Sequence, residues 1–469
     1  MNNTANKETG TRRGFWNFID SIKGDKVVWI IVFMLIMISI LAVFSSTSLL
    51  AKGDNMDRLK IAQEQIIFGG LGLAVIWILC RIKKIRTFRV LSQFGFIVSF
   101  ILLLLLLIGK DLGFCRAIET NGVYRALEVF GFQLHVFEVV KVAMVMYLAW
   151  AMDAYKKDQY ESASGEKSMT FALVNALAEK EKLAFLAKPF WKRMIYLYLP
   201  IVITCVMIVP GSNSSAIFIG GILIATLLVG GISLKEIAVA AAGCLVILLL
   251  LVGVHKASDG KMFQRVGTML SRLETEYDPA VLEAEGLVEG STEFRKKLDK
   301  IQQPFGAKVA IHEGGFFGKG SGNSTQKYVV AVIYGDYMFS FIIEEYGIWG
   351  ALIIIMLYVS LLARGSFIAR LCDNEFAKIA VGGLSILITG QAFMHMCVNV
   401  DLGPMTGQTL PLISHGSSAF LMFSVAFGVI LSISRMTREK IKEEEDAVPP
   451  IYESEGDEIK ATLGDIERL

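Results

Sequence analysis

Residues 27–51 of this chain read VVWIIVFMLIMISILAVFSSTSLLA, an apolar run without a single charged side chain. A helix needs about 20 apolar residues to cross the hydrocarbon core of a bilayer, so this run is long enough for one crossing. It follows a basic segment, but it is too long for the core of a signal peptide and no small-residue cleavage pattern comes after it. We therefore expect it to be a retained first transmembrane helix.

The composition of the whole chain is typical of a membrane protein. Of its 469 residues, 54% are hydrophobic and 19% are charged, and the apolar residues come in long runs. Backbone groups in lipid must be satisfied within the protein, so these runs predict helices. The fold class predicted is therefore an all-α, polytopic membrane protein with about ten transmembrane helices, at 27–51, 66–80, 88–109, 135–152, 194–210, 214–232, 236–254, 337–363, 378–399 and 412–434.

The distribution of charge predicts the orientation. The connection at residues 81–89 contains Arg81, Lys83, Lys84, Arg86 and Arg89, and lysine and arginine favour the cytoplasmic side. An even number of spans then places both termini in the cytoplasm. The predicted organisation is a cytoplasmic segment at 1–26, a membrane domain at 27–434 and an acidic, disordered cytoplasmic tail at 435–469. A long outer loop is expected at 255–336, and a surface helix at 171–187 on the cytoplasmic side.

Ionisable side chains at membrane depth are expensive and mark function by default. Glu138 and Lys141 lie three residues apart, on one face of the fourth span, as either a structural ion pair or a pair that faces substrate. The other candidates at or near membrane depth are Asp336, Glu344, Glu345 and His395. The six cysteines are scattered without a CxxC pair, and no carboxylate cluster has the spacing of metal ligands. No metal site is predicted, and whether a divalent cation assists is left open.

Residues 313–327 read EGGFFGKGSGNSTQK and have five glycines interleaved with cations and amides. Glycine backbones can approach a ligand closely, so this segment suits a pyrophosphate or a sugar. It does not fit a nucleotide P-loop, and a flexible outer linker is the alternative.

Asp336 follows this segment and opens the eighth predicted span. Aspartate is a good helix N-cap, which is one reading of this position. The other reading is a partly desolvated carboxylate whose raised pKa makes it a better general base.

Two sets of motifs resemble a known family. Residues 314–320 (GGFFGKG), 323–327 (NSTQK), 336–339 (DYMF) and 344–350 (EEYGIWG) are similar to the SEDS family of shape, elongation, division and sporulation proteins. Independently, residues 404–418 (PMTGQTLPLISHGSS), preceded by Asn399, are similar to the most recognisable signature of that family. The resemblance extends from the end of the first span to the last span, and it is greater to division members than to elongation members.

The resemblance implies a ten-span peptidoglycan glycosyltransferase. Such a protein polymerises lipid II, the undecaprenyl-pyrophosphate-linked disaccharide-pentapeptide, on the outer face of the bacterial cytoplasmic membrane. Asp336 matches the essential outer-loop aspartate and is expected to be the general base. The expected substrate-binding residues, some of which stabilise charge on the pyrophosphate, are Arg125, Glu138, Lys141, Lys319, Ser324, Gln326, Lys327, Ser414 and His415.

The family also implies partners and leaves alternatives. A class B penicillin-binding transpeptidase and other cell-division membrane proteins are expected to associate with the chain. The expected location within the membrane is the division septum. A transporter that moves lipid-linked precursors has many spans and buried charges too, although its essential charges should lie near the midplane. A non-catalytic scaffold for the transpeptidase is the second alternative.

Overall fold

The structure is a computed structural model and describes residues 24–47, 58–109, 115–120, 123–129, 131–164, 171, 175, 185, 187–238, 292–330, 332–403 and 406–447. Long helices dominate these ranges. They are α1 (Lys26–Ser46), α2 (Arg58–Cys80), α3 (Ile85–Ile108), α4 (Val136–Ala163), α5 (Pro189–Ile208), α6 (Asn213–Val229), α7 (Thr292–Gly314), α8 (Met338–Leu371), α9 (Glu375–Asn399) and α10 (Ser417–Ala447).

Most predicted spans coincide with helices. Seven helices in the described residues are long and apolar enough to cross a membrane, namely α1, α2 from Gln63, α3, α5, α8, α9 and α10 to Glu444. α6 is a shorter apolar helix. The predicted span at 236–254 and the surface helix at 171–187 lie largely outside the described residues. The outer loop at 255–336 is described only from residue 292, where α7 begins.

α4 is the central helix of the bundle. Its side chains from Val140 to Tyr155 are nearly all buried, and it packs against α3, α6 and α9. A helix that is apolar on all sides is one that other helices surround. By contrast, α3 leaves Phe94 63% exposed on its outer face, as expected for a helix that contacts lipid.

Close helix contacts depend on small residues, as is usual in membrane bundles. α2 and α10 pack along each other, and a Cβ on Gly72 would lie 2.5 Å from the Ser424 hydroxyl. Within α5, Pro200 has no N–H to donate, and the turn Met194–Tyr198 widens into a π-helix. The Tyr147 hydroxyl of α4 donates to the freed Tyr196 carbonyl at 3.1 Å.

A small sheet interrupts the helical fold. Strands β1 (Cys115–Thr120), β2 (Val123–Val129) and β3 (Phe132–His135) pair antiparallel in the order β1-β2-β3. They occupy the connection between α3 and α4, and the all-α fold class predicted from the sequence included no strands there. The stretches of alternating polar and apolar residues in this connection are too short for the pattern alone to distinguish a strand from a loop.

The last helix is longer than its apolar run. α10 continues to Ala447, so the disordered tail that the sequence predicts from Arg435 onward is helical as far as Ala447. Salt bridges at i,i+4 support this polar extension, from Arg435 to Glu439 and from Lys440 to Glu444. Residues 448–469 lie outside the described residues.

α8 is broken at Gly347. This residue has φ 67° and ψ −164°, which separates a short outer half-helix from the 24 residues that follow. A Cβ at Gly347 would lie 2.4 Å from the Phe316 carbonyl oxygen and 2.6 Å from the Gly318 nitrogen. Glycine is therefore required both by the backbone angle and by the segment packed against it.

We expect Gly347→Ala to destabilise the protein by about 2–4 kcal/mol, since the methyl group meets rigid backbone at a left-handed position. Thermal unfolding of the detergent-purified chain measures this change. Gly221→Ala is the matched control, because Gly221 lies within α6 and a Cβ there has no neighbour within 4 Å. Equal melting temperatures for the two variants would contradict the proposed role of Gly347.

Candidate functional site around Asp336

Asp336 lies on the turn that immediately precedes α8. The N-cap of α8 is Tyr337, and no side chain of its own turn caps this helix. The Asp336 carboxylate therefore does not serve as the N-cap, which was one of the two readings of this position. The residue as a whole is half-buried.

Two side chains of α9 cap α8 instead. His395 Nε2 accepts a hydrogen bond from the Phe339 N–H at 3.3 Å, and Asn399 Oδ1 accepts from the Ser340 N–H at 2.9 Å. Asn399 Nδ2 also donates to the Asp336 carbonyl at 2.9 Å. The first turn of a helix leaves N–H groups without intrahelical partners, and α9 satisfies two of them here. The main chain of Asp336 is thereby held to the end of α9.

The signature loop, residues 406–416, holds the same turn from the other side. Ser414 Oγ donates to the Gly335 carbonyl at 2.8 Å, and the His415 N–H donates to the Tyr334 carbonyl at 3.0 Å. A Cβ on Gly407 would lie 3.6 Å from Asp336 Oδ2. The turn carrying the carboxylate is thus fixed at both flanks before any ligand binds.

Burial raises the pKa of Asp336 from its ordinary value of 3.8 to about 6, and the nearby Arg125 guanidinium partly opposes this rise. Arg125 is on β2 and is itself partly exposed, with its Nε donating to the Gly211 carbonyl at 3.2 Å. A carboxylate with a pKa near 6 is mostly ionised at neutral pH and still accepts a proton readily.

Lys141 links α4 to the signature loop. Its buried ammonium donates to Glu138 Oε1 at 2.6 Å, to Gln391 Oε1 at 2.7 Å and to Gln408 Oε1 at 2.7 Å. All three of its protons are used, which is what a buried ammonium requires. Gln408 in turn accepts from His395 Nδ1 through its carbonyl at 2.7 Å. Lys141 therefore anchors the signature loop that holds Asp336.

The glycine segment, residues 314–327, packs on the break in α8. The carbonyl of Glu344 accepts from the Lys319 N–H at 2.8 Å, and that of Glu345 accepts from the Gly320 N–H at 3.0 Å. A helix end leaves carbonyls unpaired, and the segment satisfies them here. A Cβ on Gly318 would lie 2.3 Å from the Glu345 carbonyl oxygen. The glycines thus permit close approach to α8.

The side chain of Glu344 fastens the same segment. Its carboxylate accepts from Lys319 Nζ at 2.9 Å, from Ser324 Oγ at 2.5 Å and from the Thr325 N–H at 2.8 Å. The Gln326 N–H adds a bond at 3.3 Å. A fully buried carboxylate is tolerable with this many donors.

Glu345 and Lys327 complete the clamp, which we define as Glu344, Glu345 and the glycine segment. Glu345 Oε1 accepts from the Ser45 hydroxyl at 2.6 Å and from the Gly322 N–H at 3.0 Å. Lys327 is buried, and its ammonium donates to the Gly322 carbonyl at 2.7 Å. The clamp ties the outer loop to both α1 and α8.

The structure separates the sequence-predicted site residues into two groups. Around Asp336 it gathers Arg125, Glu138, Lys141, Ser414 and His415. Around Glu344 it gathers Lys319, Ser324, Gln326 and Lys327, whose polar atoms bond within the clamp.

Several residues that hold the site were not chosen from the sequence. Asn399, Gln391 and Gln408 were not chosen, and His395 was noted only as a buried ionisable group. His395 and Asn399 are four residues apart and therefore share a helix face, which is the signal that could have identified them.

Comparisons with known proteins agree on the family. A family model described as cell cycle protein, for FtsW, RodA and SpoVE, matches residues 25–439. A probable peptidoglycan glycosyltransferase FtsW of Trichlorobacter lovleyi is 25% identical over 411 residues, which are 87% of this chain and 93% of that relative.

Solved structures share the fold. One chain, from work on the coordination of polymerization and crosslinking by a peptidoglycan synthase complex, aligns with a TM-score of 0.56 at 19% identity. The alignment covers 88% of this chain and 98% of that chain. The crystal structure of the rod shape determining protein RodA of Thermus thermophilus aligns with a TM-score of 0.50 at 19% identity, covering 89% and 98%. The predicted polytopic helical membrane fold is confirmed.

We expect Asn399→Leu to loosen the first turn of α8, because Ser340 N–H and the Asp336 carbonyl lose their partner. Hydrogen exchange of the Ser340 amide should accelerate by one to two orders of magnitude, corresponding to about 1–3 kcal/mol for a buried group left unpaired. Asn374→Leu is the matched control, since Asn374 caps α9 by accepting from the Ala377 N–H at the other membrane face. Unchanged exchange at the start of α8 in Asn399→Leu would show that capping by α9 is unimportant.

Proposed function

The chain belongs to the FtsW, RodA and SpoVE family of cell cycle proteins, and on that premise we propose that it is a peptidoglycan glycosyltransferase. Its substrate is lipid II, which it polymerises into glycan strands on the outer face of the bacterial cytoplasmic membrane. The relative from Trichlorobacter lovleyi carries the name of this activity.

The observation that carries the proposal is the uncommitted carboxylate of Asp336. The Asp336 main chain is held by Asn399 and its neighbours by Ser414 and His415, whereas its side chain is not used as a cap. Burial raises its pKa to about 6, which suits a general base near neutral pH.

The chemistry assigned to this carboxylate is removal of one proton. Asp336 takes the proton of the acceptor 4-hydroxyl on GlcNAc as that oxygen attacks the anomeric carbon of the donor MurNAc. The bond from that carbon to the pyrophosphate breaks, and undecaprenyl pyrophosphate leaves with the electron pair. Each cycle forms one glycosidic bond, and the proton on Asp336 returns to solvent or to the leaving group.

We assign the leaving pyrophosphate to Arg125. Its guanidinium is partly exposed and close enough to Asp336 to lower the pKa of that carboxyl, and a guanidinium suits phosphate oxygens. His415, also partly exposed, is the second proposed contact. Glu138 and Lys141 act by holding the signature loop. Lys319, Ser324, Gln326 and Lys327 act by shaping the clamp, because their polar groups already have partners there.

A class B penicillin-binding transpeptidase is the proposed partner. Polymerised strands need crosslinking, and a solved chain with this fold comes from a complex that coordinates polymerization with crosslinking. Location at the division septum and contacts with other division proteins follow from the greater similarity to FtsW, with a RodA-like role in elongation as the alternative.

The test compares native protein with Asp336→Asn, each purified with a class B partner and supplied with lipid II. Asn keeps the shape and removes the base, so glycan synthesis should fall by at least 10²-fold. Asp401→Asn is the matched control, since Asp401 is also an outer-side carboxylate, pairs with Lys308 and has a backbone φ of 62° that Asn accepts.

Full activity in Asp336→Asn would place the base elsewhere. If neither protein polymerised, but both moved labelled lipid II across vesicle membranes, the transporter reading would replace this proposal. If crosslinking by the partner was stimulated without any polymerisation, the scaffold reading would replace it.

The rate should depend on pH through the ionisation of Asp336. Because the base must be deprotonated and its pKa is about 6, kcat/KM should rise about tenfold between pH 5 and pH 7 and then level. Arg125→Gln removes the charge that opposes the rise in that pKa, so its profile should shift to higher pH. A profile of Arg125→Gln shifted to lower pH, or a native profile without a step near pH 6, would exclude Asp336 as the titrating base.

A further inference from the structure

A basic turn lies between α2 and α3, on the face that the charge distribution predicts to be cytoplasmic. We define it as Arg81, Lys83, Lys84 and Arg86, all of which are exposed. Only three residues separate Arg81 from the first residue of α3, so four positive charges share a small surface. Like charges this close repel one another unless an anion lies between them.

The four cations of the basic turn form no ion pair with a described carboxylate, unlike several other cations on the same face. Among the described residues, none of the four forms an ion pair. Nearby, Arg89 pairs with Asp153, and Arg364 and Arg438 both pair with Asp25. The four cations of the basic turn are therefore available to a group outside the chain.

The turn is held in place without using its charges. The Ile82 carbonyl accepts from Arg435 Nη2 at 2.8 Å and from the Ser432 hydroxyl at 3.1 Å, both from α10. A fixed backbone reduces the ordering that binding would otherwise cost.

Trp77 places the turn at the membrane surface. Its ring is 54% exposed on α2, and the Arg81 guanidinium carbon lies 3.9 Å from the ring centroid. Tryptophan collects at the level of lipid headgroups, and a stacked guanidinium is presented there with its N–H groups toward the phosphates.

The start of α3 adds to the positive charge. Its N-cap, Lys84, makes no side-chain cap bond, and its first turn has no acidic residue. Cations at a helix N-terminus are unfavourable because the helix dipole is positive there. An arrangement that breaks this local rule is expected where an anion from outside compensates.

We propose that the basic turn, with Trp77, is a binding site for the phosphate groups of anionic phospholipids in the cytoplasmic leaflet. Each cation near such a surface strengthens binding by roughly fivefold. The site lies on the membrane face opposite to Asp336 and is independent of the proposed polymerase activity. Orientation by positive charge alone explains why the cations are cytoplasmic, but not why α10 holds the backbone of the turn or why Arg81 stacks on Trp77.

The experiment titrates the full chain in detergent micelles with phosphatidylglycerol and, separately, with phosphatidylcholine, and counts bound lipids by native mass spectrometry. The native chain should bind phosphatidylglycerol at least tenfold more tightly. Arg81→Gln/Lys83→Gln/Lys84→Gln/Arg86→Gln should lose this preference, and its affinity for phosphatidylglycerol should fall by roughly 600-fold, about fivefold for each of the four cations.

The matched control removes four positive charges at other positions on the same face. Lys188, Lys235, Arg370 and Lys442 are exposed, and none of them forms an ion pair in the part of the chain that is described. Their combined change to Gln should leave the preference for phosphatidylglycerol within about threefold of native, well below the fivefold contributed by one cation of a site. An equal loss of the preference for phosphatidylglycerol in both variants would mean that net charge alone determines lipid binding, and this would overturn the proposal.

Two further arms keep the test decisive. Positive charge also sets the orientation of the chain in the membrane, so single changes such as Lys83→Gln are used because they retain three of the four cations. Each single change should weaken phosphatidylglycerol binding about fivefold. Trp77→Leu should weaken it while leaving the charge unchanged. Inorganic phosphate at the same concentration should not displace the lipid, and displacement by phosphate would overturn the assignment to a headgroup.

Discussion

The structure depends on how the first N–H groups of α8 are satisfied. A helix that starts next to the membrane cannot leave these donors buried without acceptors, and a nearby aspartate usually supplies one. Here His395 and Asn399 of α9 accept from Phe339 and Ser340 instead. The consequence is chemical as much as structural, because Asp336 keeps its position at the helix start while its carboxylate remains available.

The need of buried backbone groups for hydrogen-bond partners also explains the contacts around the break in α8. Once Gly347 departs from helical angles, the carbonyls of Glu344 and Glu345 need donors, and the glycine segment supplies main-chain N–H groups. The carboxylate of Glu344 then gathers further donors from that segment. The conspicuous glycines thus allow close packing against α8, a role that the sequence did not indicate, since composition left a ligand cradle and a flexible linker as the two interpretations.

The sequence predicted the spans well because apolar length is a local property, and α1, α3 and α9 begin and end within a few residues of the expected positions. It did not predict the β1–β3 sheet, which depends on pairing between short segments. The family motifs indicated Asp336, Lys141 and the signature loop. They did not show that Lys141 donates its three hydrogen bonds to Glu138, Gln391 and Gln408. Gln391 and Gln408 are distant in sequence, and only helix packing brings them to Lys141.

Several buried charges in this protein are paired with a group of opposite charge, as Lys141 is with Glu138, Glu344 with Lys319 and Lys192 with Asp158. Among the described residues, neither the half-buried carboxylate of Asp336 nor the exposed cations of the basic turn form such an ion pair. In both, neighbours hold the main chain while the charged groups stay uncommitted: Asn399 bonds the Asp336 carbonyl, and Arg435 bonds the Ile82 carbonyl. A fixed backbone that presents an unpaired charge costs stability and has no structural benefit of its own. That shared arrangement is the physical reason to assign both places to ligands rather than to folding.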